Sequence, residues 1–103
     1  MERQEVENII KTYGTGSPEF KGRKLERNPN YSPDGILYEP DTTSDNDLDV
    51  FINGEDLYVA NIQFVKFEVD NWGLVVRLYY DCQYIGCITE SWEDIKTFKL
   101  GRT

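Results

Sequence analysis

Histidine is absent from this 103-residue chain, and only two cysteines and one methionine occur in it. Without an imidazole no Ser-His or Cys-His pair exists, which removes the usual route to an activated nucleophile. Carboxylates are plentiful, but nothing in the sequence sets one apart from a solvated acid as a proton donor or acceptor. Cys82 and Cys87 cannot complete a four-ligand zinc site by themselves. Their separation also differs from the two-residue spacing of a redox pair. They are expected to be small residues in or near a core, reduced in the cytoplasm. The chain is therefore not expected to be an enzyme, and no cofactor and no metal is expected.

Long apolar runs are missing too. None approaches the ~20 residues of a membrane span, so no membrane partner is expected. The opening MERQEVENII is acidic and polar, unlike a secretory signal. Positive charge is scarce and unevenly placed. Residues 1–30 hold five acids and six bases, whereas residues 31–103 hold fourteen acids and five bases. No Lys or Arg occurs from Asn28 to Val65, a segment with eight acids: Asp34, Glu39, Asp41, Asp45, Asp47, Asp49, Glu55 and Asp56. The formal net charge of −8 opposes direct binding to nucleic acid, which needs a positive field.

What the chain does have is apolar and aromatic residues, 39% and 14% of the total, too many for a disordered chain. Its length suits a single domain over residues 1–103. Residues 2–13 read as an amphipathic helix. Val6, Ile9, Ile10 and Tyr13 fall on one face of a 3.6-residue period. Glu2, Glu5 and Glu7 suit the positive end of its dipole, and Gly14 suits its stop. Residues 14–33 carry three of the four prolines, weak patterning and a basic cluster (Lys21, Arg23, Lys24, Arg27), so they read as a loop or arm. Phe20 and Leu25 are the residues able to pin it.

From residue 34 onward the pattern is antiparallel β. Ile36-Leu37-Tyr38 is a short strand stopped by Pro40. Leu48, Val50 and Ile52 alternate in a second, and Asn53-Gly54 is a strong two-residue hairpin signal. The next strand begins near Leu57, and its apolar parity changes twice, which calls for bulges near Asn61 and near Phe64. Asp70-Asn71-Trp72-Gly73 turns it into a strand whose inward residues are read as Leu74, Val76, Leu78 and Tyr80, opposite Val65, Phe67 and Val69. Residues 84–89 form the next strand. Ser91 with Asp94 resembles a helix cap and its partner, and Phe98 and Leu100 alternate in a closing strand. The expected fold is α+β, mainly β: an N-terminal helix packed on a curled antiparallel sheet or small open barrel of five or six strands.

Asp45-Asn46-Asp47-Leu48-Asp49 invites comparison with a calcium loop. Counted from Asp45, position six is Val50 instead of glycine and position twelve is Asp56 instead of glutamate, so the loop is not of the EF-hand type. The remaining candidates are surfaces. Asp41, Asp45, Asp47, Asp49, Glu55 and Asp56 form an expected acidic docking surface, since clustered like charges repel until a basic partner neutralises them. Phe51, Trp72 and Tyr79 are the expected aromatic anchors. The functional expectation is a non-catalytic acidic protein-binding domain of the inhibitor or immunity type. It would block a basic partner such as a nuclease or other nucleic-acid-handling enzyme, a phage-encoded antagonist of a defence enzyme included. The alternatives are a structural or assembly subunit, with homo-oligomers among its forms, and a metal- or ligand-binding regulatory domain.

Overall fold

A computed structural model describes residues 1–12, 14–17, 35–40, 48–57 and 64–102. The chain runs α1 (Arg3–Lys11), β1 (Gly14–Ser17), β2 (Ile36–Pro40), β3 (Leu48–Ile52), β4 (Glu55–Asp56), β5 (Phe64–Val69), β6 (Gly73–Tyr80), β7 (Gln83–Ser91) and β8 (Phe98–Arg102). The architecture is mainly β with one short helix. The strands form two antiparallel sheets, one ordered β1-β2-β5-β6-β7 and the other β4-β3-β8, and neither is closed. The five-stranded sheet corresponds roughly to the expected curled sheet. The second sheet is a difference, and it arises because β3 pairs with β8 across about fifty residues of sequence instead of with its neighbours β2 and β5.

Local chemistry explains the connections. Asn53 and Gly54 both have positive φ, 54° and 82°, as a type I′ turn requires. Val69 pairs with Leu74 across the next turn. There the Asp70 carboxylate, 2% exposed, accepts hydrogen bonds from Trp72 N (2.8 Å) and Gly73 N (3.0 Å). That is an Asx-type turn, with the side chain satisfying donors the turn leaves over. Trp92 Nε1 donates to Asp70 O at 2.9 Å and holds the turn from the opposite side. Gly73 is required by space: a Cβ there would lie 2.2 Å from Glu90 O and 2.9 Å from Ser91 Cα.

The core joins both sheets to the helix. Val6 and Ile10 of α1, Tyr38, Val65, Phe67, Val69, Leu74 and Val76 of the larger sheet, and Val50, Ile52, Phe98 and Leu100 of the smaller one belong to a single buried cluster, with Ile95. Full burial of a side chain of this size contributes about 1.5–3 kcal/mol. A nine-residue helix is marginal in isolation, so α1 is held by this packing. It also buries an acid: Glu7, 6% exposed, accepts a 2.8 Å hydrogen bond from Tyr38 Oη and lies 3.4 Å from Arg3 Nε.

Three expectations change. Residues 14–17, read as part of a loop, form an edge strand that pairs with β2. From Phe64 onward β5 and β6 pair without interruption, so the bulge expected near Phe64 does not occur within the described part of the strand. The observed bulge lies between β6 and β7. Leu78 pairs with Gly86 but Tyr79 pairs with Tyr84, leaving Ile85 as the extra residue. The extra residue lies in β7, and β6 keeps its alternation: Tyr79 stays on the face of Val75 and Arg77, where Phe64 and Tyr84 bury it, whereas Tyr80, expected inward with Leu78, is 50% exposed at the end of the strand. Leu78 is half-buried. Ser91 and Asp94 meet as expected, through Ser91 Oγ to Asp94 Oδ2 (2.9 Å) and Asp94 N to Ser91 O (3.0 Å), in a turn. Tyr13, the arm from residue 18 to 34 and the bulge expected near Asn61 lie outside the described residues.

Candidate functional site

The outer face of the three-stranded sheet brings part of the expected acidic surface together. β3 alternates, so Val50 and Ile52 enter the core while Asp49 and Phe51 point the other way. The register places Phe51 between Asp56 of β4 and Lys99 of β8, and Asp49 opposite Gly101. Cross-strand neighbours on one face lie ~4.5–5.5 Å apart at Cβ. Asp49, Phe51 and Asp56 are thus one patch, and Glu55 is exposed at its rim beside the type I′ turn. Lys99, exposed, is a base on the same face that the sequence reading did not connect with Phe51. Asp41, Asp45 and Asp47 lie outside the described residues, as does all of the Asp45–Asp49 calcium candidate except Leu48 and Asp49, which are in β3.

Asn53 fixes the position of this hairpin. Its side chain donates to Asp94 O (2.8 Å) and accepts from Lys96 N (2.6 Å) and Thr97 N (3.2 Å), while its own N–H donates to Thr97 O (2.9 Å). The β3–β4 turn is thereby clamped to the segment leading into β8. The sequence marks Asn53 as a turn residue, and the clamp depends on a partner more than forty positions away.

The three aromatic anchors do not converge. Phe51 is half-buried on the small sheet. Trp72, 39% exposed, caps the β5–β6 turn. Tyr79 is near the far end of β6, roughly 23 Å along the strand from Trp72 at ~3.3 Å per residue. Tyr79 is 9% exposed and sits inside a cluster of its own. It stacks on Phe64 with centroids 4.7 Å apart and meets Tyr84 edge-on at 5.8 Å. Lys66 Nζ lies 5.2 Å and Arg77 Cζ 5.7 Å from its ring centre, and Arg77 Cζ lies 4.9 Å from the Tyr84 ring. Lys66 also pairs with Glu39 at 3.2 Å and Arg77 with Glu68 at 3.3 Å. These cations are internally neutralised, and cation–π contact adds to the order of that face.

Apart from Trp72, the large apolar residues that reach solvent are not among the expected anchors. Tyr80, Tyr84 and Ile85 are exposed at the tip of the β6–β7 hairpin, around the Asp81-Cys82 turn. The turn has positive φ at both residues, 52° and 60°, a type I′ geometry built without glycine. The sequence places a hairpin connection at Asp81-Cys82-Gln83, and the absence of Gly and Asn is why it does not show that the turn has two residues of type I′.

Chemically, the site offers recognition groups. A cleft of ≈ 460 Å³ between α1 and the Trp92 turn is lined by Glu2, Glu5, Glu93 and Arg3, among others. Arg3 is engaged there with Asn71 Oδ1 (2.9 Å) and with Glu7. Neither cysteine is in a disulfide; Cys82 is exposed and Cys87 half-buried. Among the described residues, no helix is long and apolar enough to cross a membrane. Compared with protein-family models, curated proteins and solved structures, the chain matches none of them.

Proposed function

We propose that this chain is a non-catalytic protein-binding domain that docks a basic partner on the outer face of its three-stranded sheet, in the manner of an inhibitor or immunity protein. A basic nucleic-acid-handling enzyme, such as a nuclease, is the partner class that the charge favours. The observation that supports this reading is the register that sets Asp49 and Asp56 on the same face as Phe51, inside a segment without Lys or Arg from Asn28 to Val65. A half-buried aromatic with Asp49 and Asp56 beside it, and Lys99 as the base on its other side, combines an apolar anchor with a steering field.

The test is quantitative retention of proteins from the source cell on the immobilised chain, compared with Asp49→Lys/Glu55→Lys/Asp56→Lys and with Phe51→Ala. The expected result is a basic protein retained by the parent chain, released by salt and lost on both variants. An unchanged retained set on the charge-reversed chain, with its fold intact by circular dichroism, refutes docking at this face.

A further inference from the structure

Among the described residues, four strands form the outer edges of the two open sheets: β1 and β7 of the larger, β4 and β8 of the smaller. An exposed edge is a template for pairing, and proteins blunt it with short length, charge or proline. β4 is two residues long and both are acids; β1 has four residues; β8 carries Lys99 and Arg102. β7 differs. It has nine residues, QYIGCITES, with no Lys, Arg or Pro and a single charged residue, Glu90.

The groups that β7 offers follow from the ladder. Tyr80 pairs with Gln83 across a two-residue turn, so this pair exchanges hydrogen bonds, and bonded and non-bonded pairs alternate from there. Counting through the bulge at Ile85, Ile88 and Glu90 bond to β6, while the N–H and C=O of Cys87 and Thr89 point away from it. The hairpin before it has the same phase, since Asp70 N donates to Gly73 O. Ser91 O, next in the outward series, already accepts Asp94 N.

We propose that β7 pairs antiparallel with β7 of a second copy of this chain, about a twofold axis, which merges two five-stranded sheets into one of ten. A strand edge paired with itself in this way is self-complementary: if residue i meets residue j, then j meets i, and each outward donor finds an outward acceptor of the other copy. Charge selects the second copy over a basic partner. β7 holds one of the chain's nineteen acids, so a molecule of net −8 meets itself there with least repulsion, and the strand has no cluster of carboxylates to steer a cation. A register centred on Ile88 sets Cys87 opposite Thr89, so the outward groups of both residues meet, and Glu90 opposite Gly86, with no like charges in line. Tyr80 and Ile85, 50% and 53% exposed, extend the apolar contact beyond the ladder. A strand ~30 Å long covers less than the ~800 Å² per partner of a standard interface. The association is therefore weak and concentration-dependent.

Sedimentation velocity on the full chain tests this, with two edge variants. Thr89→Pro deletes an outward N–H and leaves the bonds to β6, and Ile85→Lys puts a charge on the exposed bulge. The expected result is a monomer–dimer equilibrium in the parent chain and at least ~10-fold weaker self-association in both variants, with unchanged circular dichroism. If Thr89→Pro does not fold, Ile85→Lys decides. A parent chain that stays monomeric up to ~0.5 mM overturns self-pairing and leaves the edge to a strand of another protein. Dimerisation that survives undiminished in the folded variants also overturns it, by placing the contact elsewhere.

Discussion

Replacing Tyr38 by phenylalanine removes one oxygen from the core and leaves the ring. That oxygen donates at 2.8 Å to the carboxylate of Glu7, which is 6% exposed and keeps only the longer 3.4 Å approach of Arg3 Nε when the phenol is gone. A hydrogen bond to a charged group contributes ~1.5–3 kcal/mol, and more when its loss strands a buried acceptor. Tyr38→Phe is expected to lower stability at pH 7 by about 2 kcal/mol, roughly 10 °C in Tm for a domain of this size. The alkaline behaviour is a second, independent signature. Burial, then the adjoining Glu7 carboxylate, hold the Tyr38 proton well above its ordinary value of 10.0. Below that value folded and unfolded chains are both protonated and stability does not change. Above it only the unfolded chain loses the proton, so stability falls with rising pH by ~1.4 kcal/mol per unit until the folded value is reached. The phenylalanine variant lacks this dependence, and the gap between the two proteins should shrink by ~1.4 kcal/mol from pH 7 to pH 11, of which ~1 kcal/mol falls between pH 10 and pH 11. Urea unfolding of both proteins at pH 7, 10 and 11 measures it, and taking the difference cancels the other tyrosines and the lysines. A deficit below ~0.5 kcal/mol at pH 7, or a gap that stays constant to pH 11, would refute the buried Tyr38–Glu7 pair.

Two further substitutions probe the turns. Gly73→Ala brings a Cβ 2.2 Å from Glu90 O, and because both neighbours are backbone the β6–β7 ladder must open; a loss of about 3 kcal/mol is expected in urea unfolding, and a loss under ~1 kcal/mol would show that the strands give way easily. Asn53→Gly keeps the positive φ of 54° and removes only the three side-chain bonds, which are exposed, so about 1 kcal/mol is expected; Asn53→Ala adds the ~1–2 kcal/mol of a Cβ in the left-handed region, and equal effects of the two would show that the conformational part is absent.

Features set by neighbours in sequence were legible in advance. Asn53-Gly54 and the Asp70–Gly73 turn sit where the hairpins turn. Val6 and Ile10 face the core from α1, Val50 and Ile52 from β3, and Phe98 and Leu100 from β8, because a period of 3.6 or 2 decides which side chains share a face. The failures have one cause. The division into two sheets depends on β3 choosing β8, and no local pattern encodes which distant edge a strand will take. The same holds for the bulge at Ile85. The inserted residue is in β7 and leaves no trace in the alternation of β6, and the burial of Tyr79 comes from Phe64 and Tyr84 on the strands at either side.

The candidate sites divide in the same way. Composition and charge order settled that the chain has no imidazole and that a long segment lacks any base, since these are properties of the residues themselves. Tertiary structure decided that Asp49, Phe51 and Asp56 share a face with Lys99, that Trp72 and Tyr79 lie at opposite ends of β6, and that β7, with Glu90 its single charge, is the one long edge without Lys, Arg or Pro among the described strands. Periodicity assigns a residue to a face of its own strand. Which strands then lie beside that face depends on pairing between distant segments, and this pairing exists only once the whole core has closed around them.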